Sequence, residues 1–493
     1  MLFGLRAQVL SWSFLFVTAA VAPAAELPKD ANLDDTGFVT LFDGKSLDGW
    51  HVSAQTGHSG TSQNKSGGKW VIEEGAIVGS QDIPGNGGII LTNQSFGDFE
   101  VIVEMKNDYG PDSGLFLRSN DKGQAYQYMV DYHDNGNVGG IYGEGLPGGL
   151  HFRNYELGKE PTDFKVLDRK TDPRAAAYGS PVNAEQWKDL WKHGEWNQLR
   201  ARIVGNPPQI TTWINGVKFM QFQDNQIRTT PEGMIALQVH GGGDFTKQFV
   251  RYRNVKVKTF GVAEPVAGKE VWQKLESKKI PGESLPYLLA LPTDYKADET
   301  KRPLLLFLHG AGECGVDLNL VKIHGPPKLV EKKPGDFPFI VVSPQAPINE
   351  VPIIDRWDPR LLVELVDQVA AKYNADTDRL YVTGLSMGGY GTFRLCAHYP
   401  KKFAAAVPIC GGGWTNYAEA LAQVPMWIFH GTDDEAVPLE RSLEIVKSVR
   451  KRGGKPLFTV YDGVAHDSWT QTYDNPEVYT WLLKHRLSNR AKK

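Results

Sequence analysis

Cysteine is scarce in this sequence: Cys314, Cys396 and Cys410 are the only three in 493 residues, all in the second half. An odd count with no C-x-x-C spacing excludes a disulfide framework and a zinc–thiolate site. Net charge is nearly absent as well, formally −3 from 54 basic and 57 acidic residues. Without a basic surplus the chain lacks the electrostatic footprint of a nucleic-acid binder. Beyond the N-terminus no apolar run is long enough to span a bilayer. Phosphate loops, dinucleotide fingerprints and zinc-ligand spacings are missing, so no cofactor and no metal are implied. What remains is an ordinary globular composition, 41% hydrophobic and 23% charged, and enough length for two domains with extras.

The first 25 residues read as a secretory signal. Arg6 supplies a positive n-region, Val9 to Val21 form an apolar stretch, and Ala22-Pro23-Ala24-Ala25 ends in small residues before Glu26. The expectation is export to a periplasm or beyond, with no membrane span in the mature chain; the alternative is an uncleaved anchor.

Residues 36–258 carry short alternating strands separated by Gly, Asn and Asp, such as Phe99 to Met105, Gly114 to Arg118 and Tyr126 to Asp131. Asn215-Gly216 between two such runs is a hairpin turn that accepts positive φ. Many short strands without a long helix predict a β-sandwich or jelly roll. Residues 143–197 are poor in pattern and read as a long loop or insert. Residues 259–285, with Pro265, Gly268, Pro281 and Gly282 among charges, read as a connector.

From 286 to 488 strands alternate with helices. Leu304 to Leu308 and Phe339 to Val342 are continuous apolar runs, as buried parallel strands require. Leu361, Leu362, Leu365, Val366 and Val369 share a helical face. The alternation predicts a doubly wound parallel sheet.

Within this half, Gly384-Leu385-Ser386-Met387-Gly388 follows a predicted strand and precedes a predicted helix. A G-x-S-x-G turn in that setting raises a serine Oγ above the strand ends. An acid and a histidine follow in the order such a fold demands. Asp433 and Asp434 lie on a loop after the strand 426–429, and the spacing to Val437-Pro438 selects Asp434. His466 lies on the loop after the strand 457–461. Ser386 is then the nucleophile, His466 the base and Asp434 the acid that orients it. His309-Gly310-Ala311-Gly312, after the first long apolar strand, places Ala311 N–H opposite Met387 N–H as an oxyanion hole. His309 and His430 read as structural, and His324 as a cleft border. Trp357, Trp414 and Trp469 read as pocket wall or core.

Residues 286–485 resemble the phospholipase/carboxylesterase-like α/β-hydrolases, in the group of bacterial predicted peptidases. The shared phrases are Phe307 to Glu313, Gly384 to Gly391, Val407 to Gly413 and Gly463 to Trp469; Cys314 stands where that group commonly has Arg. The resemblance implies hydrolysis of carboxylic esters, with peptide hydrolysis as an alternative. Residues 36–258 resemble the concanavalin-like 3-keto-disaccharide hydrolases through Leu41 to Trp50, Asp112 to Arg118, Gly139 to Gly143, Glu195 to Asn197, Trp213 to Gly216 and Ile235 to Gly241. Gln127 stands near where that family often has an acid. This resemblance implies either cleavage of 3-keto-glycosides by elimination or a carbohydrate-binding module. For the first, Glu104, Arg118, Asp131 and His240 are candidates to supply the base and the enolate stabiliser. The whole is expected to be a secreted serine esterase acting on carbohydrate or acylated-glycan substrates: an all-β concanavalin-like sandwich followed by an α/β-hydrolase.

Overall fold

Side chains at every second position build the first half of the chain. Val101, Val103 and Met105 on the strand Asp98–Asn107, and Leu199, Ala201 and Ile203 on Asn197–Val204, point into the same buried cluster as Leu115, Leu117, Tyr126, Tyr128 and Val130. The period of two places one face of each strand inward. In the computed structural model, which describes residues 27–490 apart from 28, 32, 169–181, 297–299 and 349, these strands form two antiparallel sheets of eight and seven strands. The expected signal segment 1–25 lies outside the described residues.

The stretch read as an insert packs against this sandwich. It contributes the hairpin Tyr155–Leu157 and Phe164–Val166 and the helix Ala184–Leu190, with Asn183 as a side-chain cap. Tyr155, Phe164 and Trp187 form a ring cluster with centroids 4.3 to 5.2 Å apart. It is therefore core as well as loop.

The second half is one eight-stranded sheet. Its six C-terminal strands, from Arg302–Leu308 to Leu457–Tyr461, are mutually parallel. Both faces are covered. Leu304, Leu306 and Leu308 meet the helix Pro359–Lys372 through Leu362, Leu365 and Val366, while Leu305 and Phe307 join Val330, Val478 and Leu482 on the other side. Double coverage explains the unbroken apolar runs. Pro359 starts that helix and Asp358 caps it, its carboxylate accepting Arg360 N–H at 2.8 Å.

Residues 259–285 are not a simple connector. Glu270–Glu276 and Ser284–Ala290 are strands of this sheet, paired antiparallel to each other and to Ile340–Pro344. On the edge strand Gln273 and Leu275 are buried, Lys274 and Glu276 are exposed, and Glu270 turns its carboxylate inward beside Lys322, so charge on both faces gave it the composition of a linker.

Candidate active site

Three loops at the carboxyl ends of the parallel strands meet around Ser386. The strand Ala375–Leu385 stops at Ser386, whose φ of 53° and ψ of −116° bend the chain sharply into the helix Met387–His398. A non-glycine residue at positive φ is strained. Packing forces the bend: a Cβ on Gly384 would run into the Gly388 carbonyl, and one on Gly388 into the carbonyl of Leu308. Glycine on both sides of the serine is a requirement of close backbone approach.

His466, after the strand Leu457–Tyr461, places Nε2 2.9 Å from Ser386 Oγ, and its Nδ1 lies 2.7 Å from Asp434 Oδ2. Asp434 follows the strand Trp427–Gly431. Its other oxygen accepts the N–H groups of Ala436 at 3.0 Å and Val437 at 2.8 Å. Its side chain is fully buried, whereas that of His466 is 27% exposed. Asp433, the rejected neighbour, is exposed and accepts from Thr432 Oγ1.

His430 turns out to sit against this acid. Its Nε2 donates to Val437 O at 2.8 Å and lies 3.2 Å from Asp434 Oδ2. Burial lowers its pKa, against the pull of Val437 O and the Asp434 carboxylate. Cys410 is a third buried companion; burial pushes its thiol up to about 12. Cys410 is among the residues whose ligand atoms lie within 4.8 Å of those of Asp434 and His466.

The loop after Leu308 closes the other side of the serine. A Cβ on Gly310 would stand 3.7 Å from Ser386 Cβ. Ala311 opens a short 3-10 turn, Ala311–Glu313, and Met387 is the first residue of its helix. First-turn N–H groups of a helix lack intrahelical acceptors and suit an incoming anion. His309 beneath them is fully buried: Nδ1 donates to Gly310 O at 2.6 Å, Nε2 accepts Ala346 N–H at 3.0 Å, and burial lowers its pKa to about 4. Trp357 packs on His309 with centroids 4.8 Å apart, so it is core. Trp469 stacks edgewise on His466 at 5.2 Å and donates to His324 Nδ1 at 3.3 Å, walling the site, while Trp414 is exposed. Glu313, which the sequence placed in a family phrase without a role, is buried beside His324 and His309. Burial raises its pKa to about 7, against the pull of backbone N–H groups.

In the first domain the four sequence candidates part company. Glu104 pairs with Arg253 at 2.7 Å, on the eight-stranded sheet. Arg118 is buried and holds Gly97 O, Gly205 O and Asp98. Both serve the framework. Asp131 and His240 instead border a polar cluster on the seven-stranded sheet. Asp112 there holds His133 Nε2 and lies 3.9 Å from His240 Nε2, and the His240 ring is 4.6 Å from that of His58. Burial and the nearby Asp112 push the Asp131 carboxyl well above the usual range, and the Asp112 contact raises His133 to about 9. No role was legible in the sequence for His58, on the 3-10 turn Gly57–Ser62, or for Asp112 and His133 on loops, because only the fold brings these segments together.

Residues 37–258 match the family described as 3-keto-alpha-glucoside-1,2-lyase-like domain, and residues 277–427 match the family described as "Putative esterase". The chain joins one domain of each kind. The esterase half is similar to a bifunctional acetylxylan esterase/xylanase of Neocallimastix patriciarum, 29% identical over 30% of this chain and 22% of the relative. It is also similar to feruloyl esterase B of Neurospora crassa, 39% identical over 26% of this chain and 44% of the relative. The 3-keto-disaccharide hydrolase of Bacteroides thetaiotaomicron is 33% identical over 20% of this chain and 31% of its own length. The chain spans less than half the length of each of these relatives. The esterase domain thus belongs to a hydrolase family, and Ser386 lies at the strand ends where its ligands would enter.

Proposed function

We propose that the esterase domain is a serine carboxylesterase acting on acylated carbohydrate. The relay from Ser386 Oγ through His466 to Asp434, at 2.9 and 2.7 Å, carries this reading. As Ser386 Oγ attacks the ester carbonyl carbon, His466 Nε2 takes its proton and Asp434 stabilises the imidazolium. The N–H groups of Ala311 and Met387 receive the oxyanion. The alcohol leaves with the proton from His466, and water, deprotonated by the same nitrogen, then releases the acid from Ser386. The carbohydrate part is supported by the glycan-esterase relatives and by the partner domain. Residues 1–25 serve as an export signal in this reading; N-terminal sequencing of the product from its native host tests it.

Release of a chromogenic phenol from short aryl esters, and then of acetate or ferulate from acylated xylan, is the direct test. Turnover by the intact chain that disappears in Ser386→Ala supports the reading. Turnover that persists refutes the nucleophile, and cleavage of peptides with no ester turnover favours the peptidase alternative.

A second reading concerns the first domain. Its Asp112–His133–His240 cluster suits proton abstraction beside a sugar ketone, in keeping with the domain family. Cleavage of a 3-keto-glucoside that Asp112→Asn abolishes supports it; binding without cleavage makes the domain a sugar-binding module.

A further inference from the structure

The seam between the two domains runs along the loop that carries Ala311. Arg202, on the strand Asn197–Val204 of the sandwich, reaches across it: Nη1 lies 3.0 Å from Asp317 Oδ2, and Nε holds Glu100. The side chains of Glu100, Arg202 and Asp317 are 2%, 12% and 1% exposed. The guanidinium also rests on the rings of Trp213 and Phe260, at 5.2 and 5.7 Å. Gln209, on the neighbouring strand, accepts Val316 N–H at 3.2 Å, and a Cβ on Gly315 would run into the Gln209 amide.

The same loop is tied to the esterase from its other side. Gly315 N–H donates to Ala346 O at 2.9 Å, and Gln345 Nε2 donates to Glu313 O and Asp317 O, both at 2.8 Å. Cys314 Sγ rests 3.8 Å from Met387 Sδ. Residues 313–317 are therefore sandwiched between the first domain and the floor of the site, and they continue the chain from the turn Ala311–Glu313.

We propose that the N-terminal domain holds the oxyanion side of the esterase site in its working shape, with Arg202 and Gln209 as positioning residues acting through residues 315–317. This rests on the serine-esterase reading. The buried ions explain why the grip is firm. Opening the seam would separate charges already stripped of water, and a buried charge left without its partner is costly. Precise placement matters because an oxyanion donor works only within hydrogen-bond reach of the developing charge.

The test uses the full-length chain and an aryl ester. Replacing Arg202 alone would strand the buried Asp317 and leave Glu100 with Arg200 alone, 3.3 Å away, so the main variant is the neutral trio Glu100→Gln/Arg202→Met/Asp317→Asn, in which Arg200 keeps its pair with Asp35. Gln209→Ala is made separately. A displaced donor is expected to lower kcat by roughly 10- to 100-fold in the trio and less in Gln209→Ala, with KM nearly constant. The pH profile of kcat/KM stays in place, because His466 and Asp434 are untouched. Melting curves establish folding; if the trio fails to fold, Gln209→Ala decides. Unchanged kcat in folded variants, or a rise in KM alone, overturns the proposal. Wild-type protein without Ser386-dependent turnover overturns the serine-esterase reading and this proposal with it. Ser386-dependent turnover indifferent to the seam overturns this proposal alone.

Discussion

Replacing Asp434 by asparagine puts the proposed relay under its sharpest strain, because the surroundings of the acid dictate how an amide must sit. Oδ1 accepts two backbone N–H groups, from Ala436 and Val437, at 3.0 and 2.8 Å. An asparagine keeps its carbonyl oxygen there, since turning its NH2 toward two donors would lose both bonds. The NH2 then occupies the position of Oδ2, 2.7 Å from His466 Nδ1. A donor at that place obliges Nδ1 to accept, which moves the imidazole proton to Nε2. His466 then meets Ser386 with an N–H and has no lone pair to take its proton. In the Ser-His-Asp template a wrong tautomer costs about 10⁴ in kcat, roughly 5 kcal/mol of transition-state stabilisation. Little stability should be lost, because the side-chain volume and the two backbone bonds are kept. Steady-state kinetics on an aryl ester, with melting curves for Asp434→Asn and Asp433→Asn, check this. Asp433 is exposed, and its variant should stay within about threefold of wild type, as surface changes usually do. An Asp434→Asn enzyme within tenfold of wild type, or a larger loss from Asp433→Asn, refutes the assignment of the acid.

Glu313 holds its proton up to about pH 7 in the folded chain because it is buried. An unfolded chain gives that proton up near pH 4.5, so the folded state binds more protons between the two values and stability falls as pH rises through that window. The difference amounts to about 3 kcal/mol; Glu313→Gln should flatten this part of the stability profile in urea melts, and an unaltered profile refutes the buried acid. Trp187→Ala removes a ring that is 1% exposed and packed on Tyr155 and Phe164. It should cost about 3–5 kcal/mol by chemical denaturation, and a loss below 1 kcal/mol would show that the insert is not core. Gly388→Ala forces a methyl into the Leu308 carbonyl; overpacking of this kind costs about 1–3 kcal/mol or more. Thermal melts and ester turnover should both fall, and a variant with wild-type values refutes the packing of the turn.

Legibility followed the range over which each feature is determined. The parallel strands could be read because burial on both faces leaves continuous apolar runs, as at Leu304 to Leu308. The residues that meet around Ser386 were visible because each sits just after a strand, and a parallel sheet gathers those ends on one rim. The edge strand Glu270–Glu276 was hidden, because one-sided exposure lets charge stand where a central strand would be apolar. Arg118 was misread for a different reason. Its cation serves two backbone carbonyls and Asp98, which lie about 20 and 87 residues away. The partnership of Asp112 with His133 and His240 depends likewise on loop placement, for which no spacing rule exists. The reach of Arg202 to Asp317 spans 115 residues and two domains.

The hairpin Glu270–Glu276 and Ser284–Ala290 also bears on how the esterase half could be handled alone. The family match begins at residue 277, inside the turn of that hairpin. A fragment cut there would keep Ser284–Ala290 and lose its outer neighbour. It would then bare a ladder of unpaired N–H and C=O groups on a strand containing Leu285, Tyr287 and Leu289, all otherwise buried. Such an edge recruits other chains. The charged strand from the supposed linker is thus the selvedge of the sheet, and a soluble fragment has to begin before residue 270.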